Sequence, residues 1–223
     1  MYFYDDALDA ERTDAQVEVI WRTLALEPGM DVLDLACGHG RIANRLAQRG
    51  ARVTGLDATP MFLELARRDA AERGVEVEYV EGDMRAIPWS GRFDRVVSWF
   101  TSFGYFDDDE NRAVLRAARD ALRPGGRLLV EGNNLPELLR RWLPAIVVER
   151  GDDLMIDRSR FDPVTRRAET ERTIVRGGRV RASATRSGCS SPPSWASGCA
   201  APASPRSPSS TARGSRSRRR GGG

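Results

Sequence analysis

The stretch Asp31–Ala43, D-V-L-D-L-A-C-G-H-G-R-I-A, constrains this chain more than any other. Val32, Leu33 and Leu35 read as a buried strand, Gly38 and Gly40 as a tight turn, and Ile42, Ala43 and Leu46 as the start of a helix. Glycine at such a turn tolerates positive φ and lets a ligand approach the backbone with no Cβ in the way. The helix that follows turns free N–H groups and a positive dipole end toward the turn. Strand, glycine turn and helix together make a nucleotide-sized site in an α/β sheet, or else a plain structural turn. The carboxylate of Asp34 favours the site, because a charge amid Val-Leu-x-Leu-Ala is costly unless it is paired or meets a polar ligand.

The chain has 223 residues, enough for one domain with a full core. Its three cysteines, Cys37, Cys189 and Cys199, imply no disulfide framework and fit a reducing cytoplasm. The opening M-Y-F-Y-D-D is acidic and aromatic, unlike a secretory signal. No apolar run approaches the roughly 20 residues a membrane helix needs, so no membrane partner is expected. The net charge of +3 sums two unlike segments. Residues 182–223 hold seven Arg and no acid, leaving 28 basic against 32 acidic residues before them, a net of −4. The folded part therefore gives no electrostatic reason to expect nucleic acid. Every basic residue is Arg, as a GC-rich gene would supply.

Residues 1–29 read as an N-terminal helical arm with a stripe of Val17, Ile20, Trp21 and Leu24, closed by Pro28-Gly29. Tyr2, Phe3 and Tyr4 either pack as part of that arm or close over a ligand. Strand and helix then alternate. Strands are expected at Val32–Ala36, Val53–Asp57, Val75–Val80, Phe93–Phe100 and Arg127–Glu131. Helices are expected over Arg41–Gln48 and from Pro60 to about Arg73, the latter with Phe62, Leu65 and Ala66 inward. A further helix, capped by Asp107–Asp109, carries Val114, Leu115, Ala118 and Leu122 inward. Five β-α repeats predict an α/β fold, a doubly wound, mostly parallel sheet, over residues 30–134; within residues 30–132 the strand order 3-2-1-4-5 is expected. Right-handed crossovers put the carboxyl ends of the strands on one edge, where ligands bind. Beyond Asn134 a short helix, Leu135–Leu143, precedes antiparallel strands at Ile146–Arg150, Leu154–Phe161 and Ala168–Arg176. They read as a β insertion, residues 135–181, beside the mouth of the site.

Four features fall at strand carboxyl ends: Asp34 to Gly40, Asp57, Asp83, and Trp99 to Tyr105. Asp57 suits the two hydroxyls of a ribose, and Asp83 an exocyclic amine such as that of adenine. Either acid also suits a plain helix cap. Gly38-x-Gly40-x-x-Ala43 matches a dinucleotide fingerprint, yet Asp34 is awkward for phosphate and suits a cationic ligand with an ammonium and a sulfonium. His39, the one histidine, is either a base or a turn residue, and no Cys/His cluster suggests a metal.

Four motifs in order, D-V-L-D-L-A-C-G-H-G-R, V-T-G-L-D-A-T-P-M, V-E-G-D-M and L-R-P-G-G, resemble the class I S-adenosylmethionine-dependent methyltransferases over about residues 30–132. F-T-S-F-G-Y-F is similar to one small-molecule branch. The resemblance implies a Rossmann-like methyltransferase fold with S-adenosyl-L-methionine as cofactor and a small-molecule methyl acceptor. It implies that Asp34, Ala36, Gly38 and Gly40 line the methionine part and that Asp57 takes the ribose. Ala58 and Met61 would flank the adenosine, Asp83 and Met84 hold adenine, and Phe100 sit near the sulfonium and acceptor. His39 stands where the family often has Thr or Ser. It names no catalytic residue. A cofactor-binding protein without turnover and a nicotinamide-dependent oxidoreductase are the alternative functions.

Residues 182–223 contain no Leu, Ile, Val, Phe, Asp or Glu, so a disordered tail is expected. The abrupt change to Ser, Pro, Ala, Arg and Gly near Arg181 also reads as translation in a shifted frame of GC-rich DNA. Shifting back by one base allows Ser187–Ala212 to encode a strand, an N-capped amphipathic helix, a glycine stop and another strand, as the family's ending has.

Overall fold

The computed structural model describes residues 9–188. Helix α1 (Ala10–Thr23) starts on Asp9, whose carboxylate accepts the Arg12 N–H at 2.7 Å. Five strands follow: β1 (Asp31–Leu35), β2 (Arg52–Asp57), β3 (Val77–Glu81), β4 (Phe93–Ser98) and β5 (Leu122–Val130). They form a parallel sheet in the expected order β3-β2-β1-β4-β5. Helices α2 (Arg41–Gln48), α3 (Pro60–Glu72) and α4 (Asp108–Ala121) connect them. Pro60 opens α3, where its missing N–H is one the helix would leave free. Asp107 and Glu110 close a reciprocal capping box on α4.

Strand alternation divides the core in two. Val32, Val53, Tyr79 and Val97 pack against α1, α2 and α3, while Leu33, Leu35, Leu56, Phe93 and Val96 pack with α4. Each fully buried Val or Leu contributes roughly 1.5–3 kcal/mol. Asp34 alternates onto the face of Val32, beneath α2, and is 2% exposed. Three expectations fail here. In α3, Leu63, Ala66 and Ala70 face inward, while Leu65 is 40% exposed. The β3–β4 connection, residues 82–92, holds no helix, so one face is covered by α4 together with Met84, Ile87 and Trp89 of that loop. The Pro124-Gly125-Gly126 turn lies inside β5 as a bulge, where the register steps from Phe93–Leu122 to Arg95–Arg127.

After β5 come α5 (Leu135–Arg140) and a second, antiparallel sheet: β6 (Ala145–Arg150), β7 (Asp153–Asp162), β8 (Arg167–Arg176) and β9 (Arg179–Gly188), in that order. The β8–β9 hairpin turns at Gly177 and Gly178, with φ of +53° and +75°. Strand β9 pairs with β8 as far as Gly188, so residues 182–188, expected in a disordered tail, lie in a strand. A ladder of backbone hydrogen bonds needs no apolar side chains, and composition alone therefore missed it. The expectations placed on Tyr2, Phe3 and Tyr4 and on residues 189–223 lie outside the described residues. Among the described residues no helix is long and apolar enough to cross a membrane.

Candidate active site at the carboxyl edge of the parallel sheet

The turn after β1 is built from residues in the left-handed region: Ala36 at φ +58°, Gly38 at +54° and Gly40 at +78°. For Ala36 that conformation costs roughly 1–2 kcal/mol, strain of the kind that gathers at functional turns. The two glycines serve different ends. A Cβ on Gly38 would meet nothing within 4 Å, so this side of the turn is open. A Cβ on Gly40 would lie 2.2 Å from Tyr79 Oη and 2.8 Å from Ala66 Cβ. Gly40 thus lets α2 close on the sheet.

Asp57, at the end of β2, ties this turn to the next. Its Oδ2 accepts the Gly38 N–H at 2.8 Å and its Oδ1 accepts the Thr59 N–H at 2.8 Å. A carboxylate has about four lone-pair sites, so capacity remains for two ligand hydroxyls. Ala58 and Met61 follow at the start of α3 and are exposed, Met61 by 64%. Asp83, one strand further out, is held by Arg85, which also pairs with Glu110 and lies over the Phe106 ring at 4.5 Å. The Met84 side chain is 8% exposed and belongs to the core, leaving its backbone for any ligand contact.

At the end of β4, Phe100 and Thr101 are both left-handed, at φ +61° and +55°. The Thr101 N–H donates to Glu131 Oε2 at 2.7 Å, and the Glu131 N–H donates to the Ser98 carbonyl at 2.9 Å, so Glu131 braces this turn. Phe100 is 44% exposed, with the Arg41 guanidinium 4.8 Å from its ring centre. The second sheet reaches the same edge through Arg167, which donates to the Phe106 carbonyl at 2.8 Å and pairs with Asp108 at 2.7 Å.

Burial pushes the Asp34 carboxyl up to about 7, against the opposing pull of Arg41 and of the Ala43 N–H. His39 sits half-buried in the turn, and burial holds its pKa below the ordinary imidazole value, favouring the neutral ring. Among the described residues, four buried side-chain atoms lack a hydrogen-bond partner: Asp34 Oδ2, Arg41 Nη2, Ser98 Oγ and Asn111 Oδ1. All four belong to residues at the carboxyl ends of β1 and β4 or in the first turns of α2 and α4. Buried polar groups are normally satisfied, and unsatisfied ones gathered at one edge mark where a ligand completes the structure. By contrast, a depression of about 680 Å³ at the amino edge is lined by charges already satisfied: Arg52 by Asp31, Arg92 by Glu78, and Arg67 by the Tyr79 carbonyl.

Residues 32–126 match the family model described as "Methyltransferase domain". These 95 residues, somewhat under half of the chain, resemble a methyltransferase domain. Demethylmenaquinone methyltransferase of Thermus thermophilus is 38% identical over 118 residues, 49% of this chain and 52% of that protein. The chain spans about half the length of the curated relatives it matches. The CcbJ methyltransferase of Streptomyces caelestis shares the fold at a TM-score of 0.68 and 26% identity, over 81% of this chain and 74% of that one. CalS10 of Micromonospora echinaspora, an amino pentose methyltransferase solved with S-adenosylmethionine bound, aligns at 0.57 and 25% identity, over 80% and 76%. A likeness over four-fifths of the chain exceeds residues 32–126, so it reaches into the second sheet as well as the residues the family model matches.

The residues at this edge have the chemistry to fit S-adenosylmethionine. S-adenosylmethionine brings a cationic sulfonium and a zwitterionic amino-acid end, and this edge offers an unsatisfied buried carboxylate, an unsatisfied guanidinium nitrogen and an open glycine turn. Sequence reasoning missed Arg41 and Glu131. A charge at a helix start reads as a solvated face, and nothing local shows that Arg41 is 8% exposed.

Proposed function

We propose that this chain transfers the methyl group of S-adenosylmethionine to a small-molecule acceptor in a reducing, cytoplasmic setting. The observation that carries the reading is the gathering of unsatisfied buried polar atoms, Asp34 Oδ2 and Arg41 Nη2 foremost, beside the open Gly38 turn. The β1 turn, Asp34 to Gly38, receives the methionine part, with Gly40 setting the turn by packing. Asp57 takes the ribose, Ala58 and Met61 flank the adenosine, and Asp83 with the Met84 backbone holds adenine. Phe100 borders the acceptor, which enters between the β4 turn and the second sheet.

The sulfonium methyl is already a strong electrophile, so the protein's main task is to hold an acceptor in line with it. The braced Phe100-Thr101 turn and the Arg167 link from the second sheet to the start of α4 are supports for that task. Among the proteins it resembles, one is named for demethylmenaquinone and another for an amino pentose, both small molecules.

Incubation with methyl-labelled S-adenosylmethionine and a panel of reduced quinones, phenols and amino sugars tests the reading. Acceptor-dependent formation of S-adenosylhomocysteine is expected. Binding of the cofactor with no turnover on any acceptor would point instead to a cofactor-binding protein.

A further inference from the structure

Glu131 is the first residue after β5, and it stands beside the turn that ends β4. Ser98 pairs with Val130 in the parallel register, so Glu131 follows beside Trp99 and Phe100. Strand alternation puts it on the face of Leu129, which packs against the same core as Trp99. The Arg41 guanidinium lies within electrostatic reach of it, and the Phe100 ring covers that guanidinium.

One oxygen of Glu131 is committed and the other is not. Oε2 accepts the Thr101 N–H at 2.7 Å. Oε1 meets no hydrogen-bond donor and no cation within 4 Å among the described residues. Other acids of this edge are taken up by the protein itself: Asp83 and Glu110 by Arg85, Asp108 by Arg167, and Asp57 by two backbone N–H groups. A carboxylate is more than the brace requires, since a neutral carbonyl oxygen would accept one N–H as well. The brace holds two successive non-glycine residues, Phe100 and Thr101, in the left-handed region, and strain of this kind gathers at functional sites. Tyr105 of the same loop is 47% exposed, and no hydrogen bond fixes its hydroxyl among the described residues. Glu131 is thus the proton acceptor that this turn holds in one place.

This inference rests on the methyl-transfer reading above. We propose that Glu131 is the base of the reaction, and that the acceptor is a hydroxyl or amine compound with a proton to lose at the atom that is methylated. Glu131 takes that proton on Oε1 as the acceptor's lone pair forms the new bond to the methyl carbon. The C–S bonding pair stays on sulfur, and the carboxylic acid then releases the proton to water.

The test compares the full chain with its Glu131→Gln variant, whose amide oxygen still accepts the Thr101 N–H. Two probes are titrated calorimetrically: S-adenosylhomocysteine, and sinefungin, which carries an ammonium group where the methyl group would be. The wild type is expected to bind sinefungin about tenfold more tightly, because a carboxylate faces that ammonium. Glu131→Gln is expected to lose this preference while binding S-adenosylhomocysteine as the wild type does. On hydroxyl and amine acceptors that the wild type methylates, its turnover is expected to fall about 100-fold at an unchanged melting temperature. Equal binding of the two probes by the wild type overturns the proposal, and that comparison needs no variant. So does a Glu131→Gln protein that keeps the preference or the turnover, or a loss of turnover that follows Tyr105→Phe instead. A wild type that binds both probes but methylates no hydroxyl or amine overturns it as well and leaves the cofactor site standing. A wild type that binds neither probe removes the cofactor reading itself, and this inference with it.

Discussion

The Asp57 carboxylate accepts the Gly38 N–H at 2.8 Å across 19 positions of sequence, joining the turn after β1 to the end of β2. With Thr59 held by the other oxygen, one side chain sets the shape of two loops and still faces the cleft they form. Asp57→Ala is therefore expected to weaken S-adenosylmethionine binding by about 1–3 kcal/mol, the scale for lost hydrogen bonds to a charged group. Calorimetric titration measures it, and unchanged affinity would remove Asp57 from the ribose role.

Gly38 and Gly40 separate stability from binding. Gly40→Ala adds left-handed strain to a contact with Tyr79 Oη and is expected to destabilise the protein by about 2–4 kcal/mol in urea denaturation. Gly38→Ala meets only the strain, about 1–2 kcal/mol, but puts a methyl group on the open side of the turn. Its larger effect should be on cofactor affinity. Similar denaturation midpoints for the two variants would contradict this division.

Asp34 gives the folded protein a distinct pH dependence. Its pKa rises from 3.8 to about 7, chiefly through burial. Between those values the folded chain keeps a proton that the unfolded chain has released, so this group makes stability fall as pH rises from about 4 to about 7 and level off above. Asp34→Asn should remove that slope. The measurement is the difference in unfolding free energy between wild type and variant at about pH 5 and pH 7.5, and a constant difference would place Asp34 in contact with water.

Strand β5 is an edge among the described residues, and Leu128, Leu129 and Val130 on it are only half-buried. We expect resequencing around codon 181 to show a one-base shift. A chain carrying the shifted-frame reading of residues 187–212 is expected to melt higher and to self-associate less, because a partner would cover that edge. A clean open frame whose product is monomeric and methylates an acceptor would contradict this.

The sheet was legible because its punctuation is local. Gly38, Gly40, Pro60, Gly74 and the Asp107–Glu110 capping box mark ends that backbone chemistry enforces without help from distant residues. The placement of Asp34, Asp57 and Asp83 at one edge was legible for a similar reason, since each lies in the last residues of an apolar strand or just after one. Long-range packing was not. That Leu63 rather than Leu65 turns inward depends on how α3 lies on β2 and β3. That Gly40 faces Tyr79, or that Arg41 is sealed by Thr13, Gln16 and Phe100, is decided by contacts between separate elements. Strand β9 was hidden because a ladder with β8 makes few demands on side chains.

The structure of this chain in complex with S-adenosylhomocysteine tests the central claim most directly. The account predicts the ligand at the carboxyl edge, with its ribose hydroxyls on Asp57 and its amino-acid end at the turn between Asp34 and Gly38. A ligand seated at the amino edge beside Arg52 and Arg92, or lying at the carboxyl edge with Asp57 untouched, would contradict it.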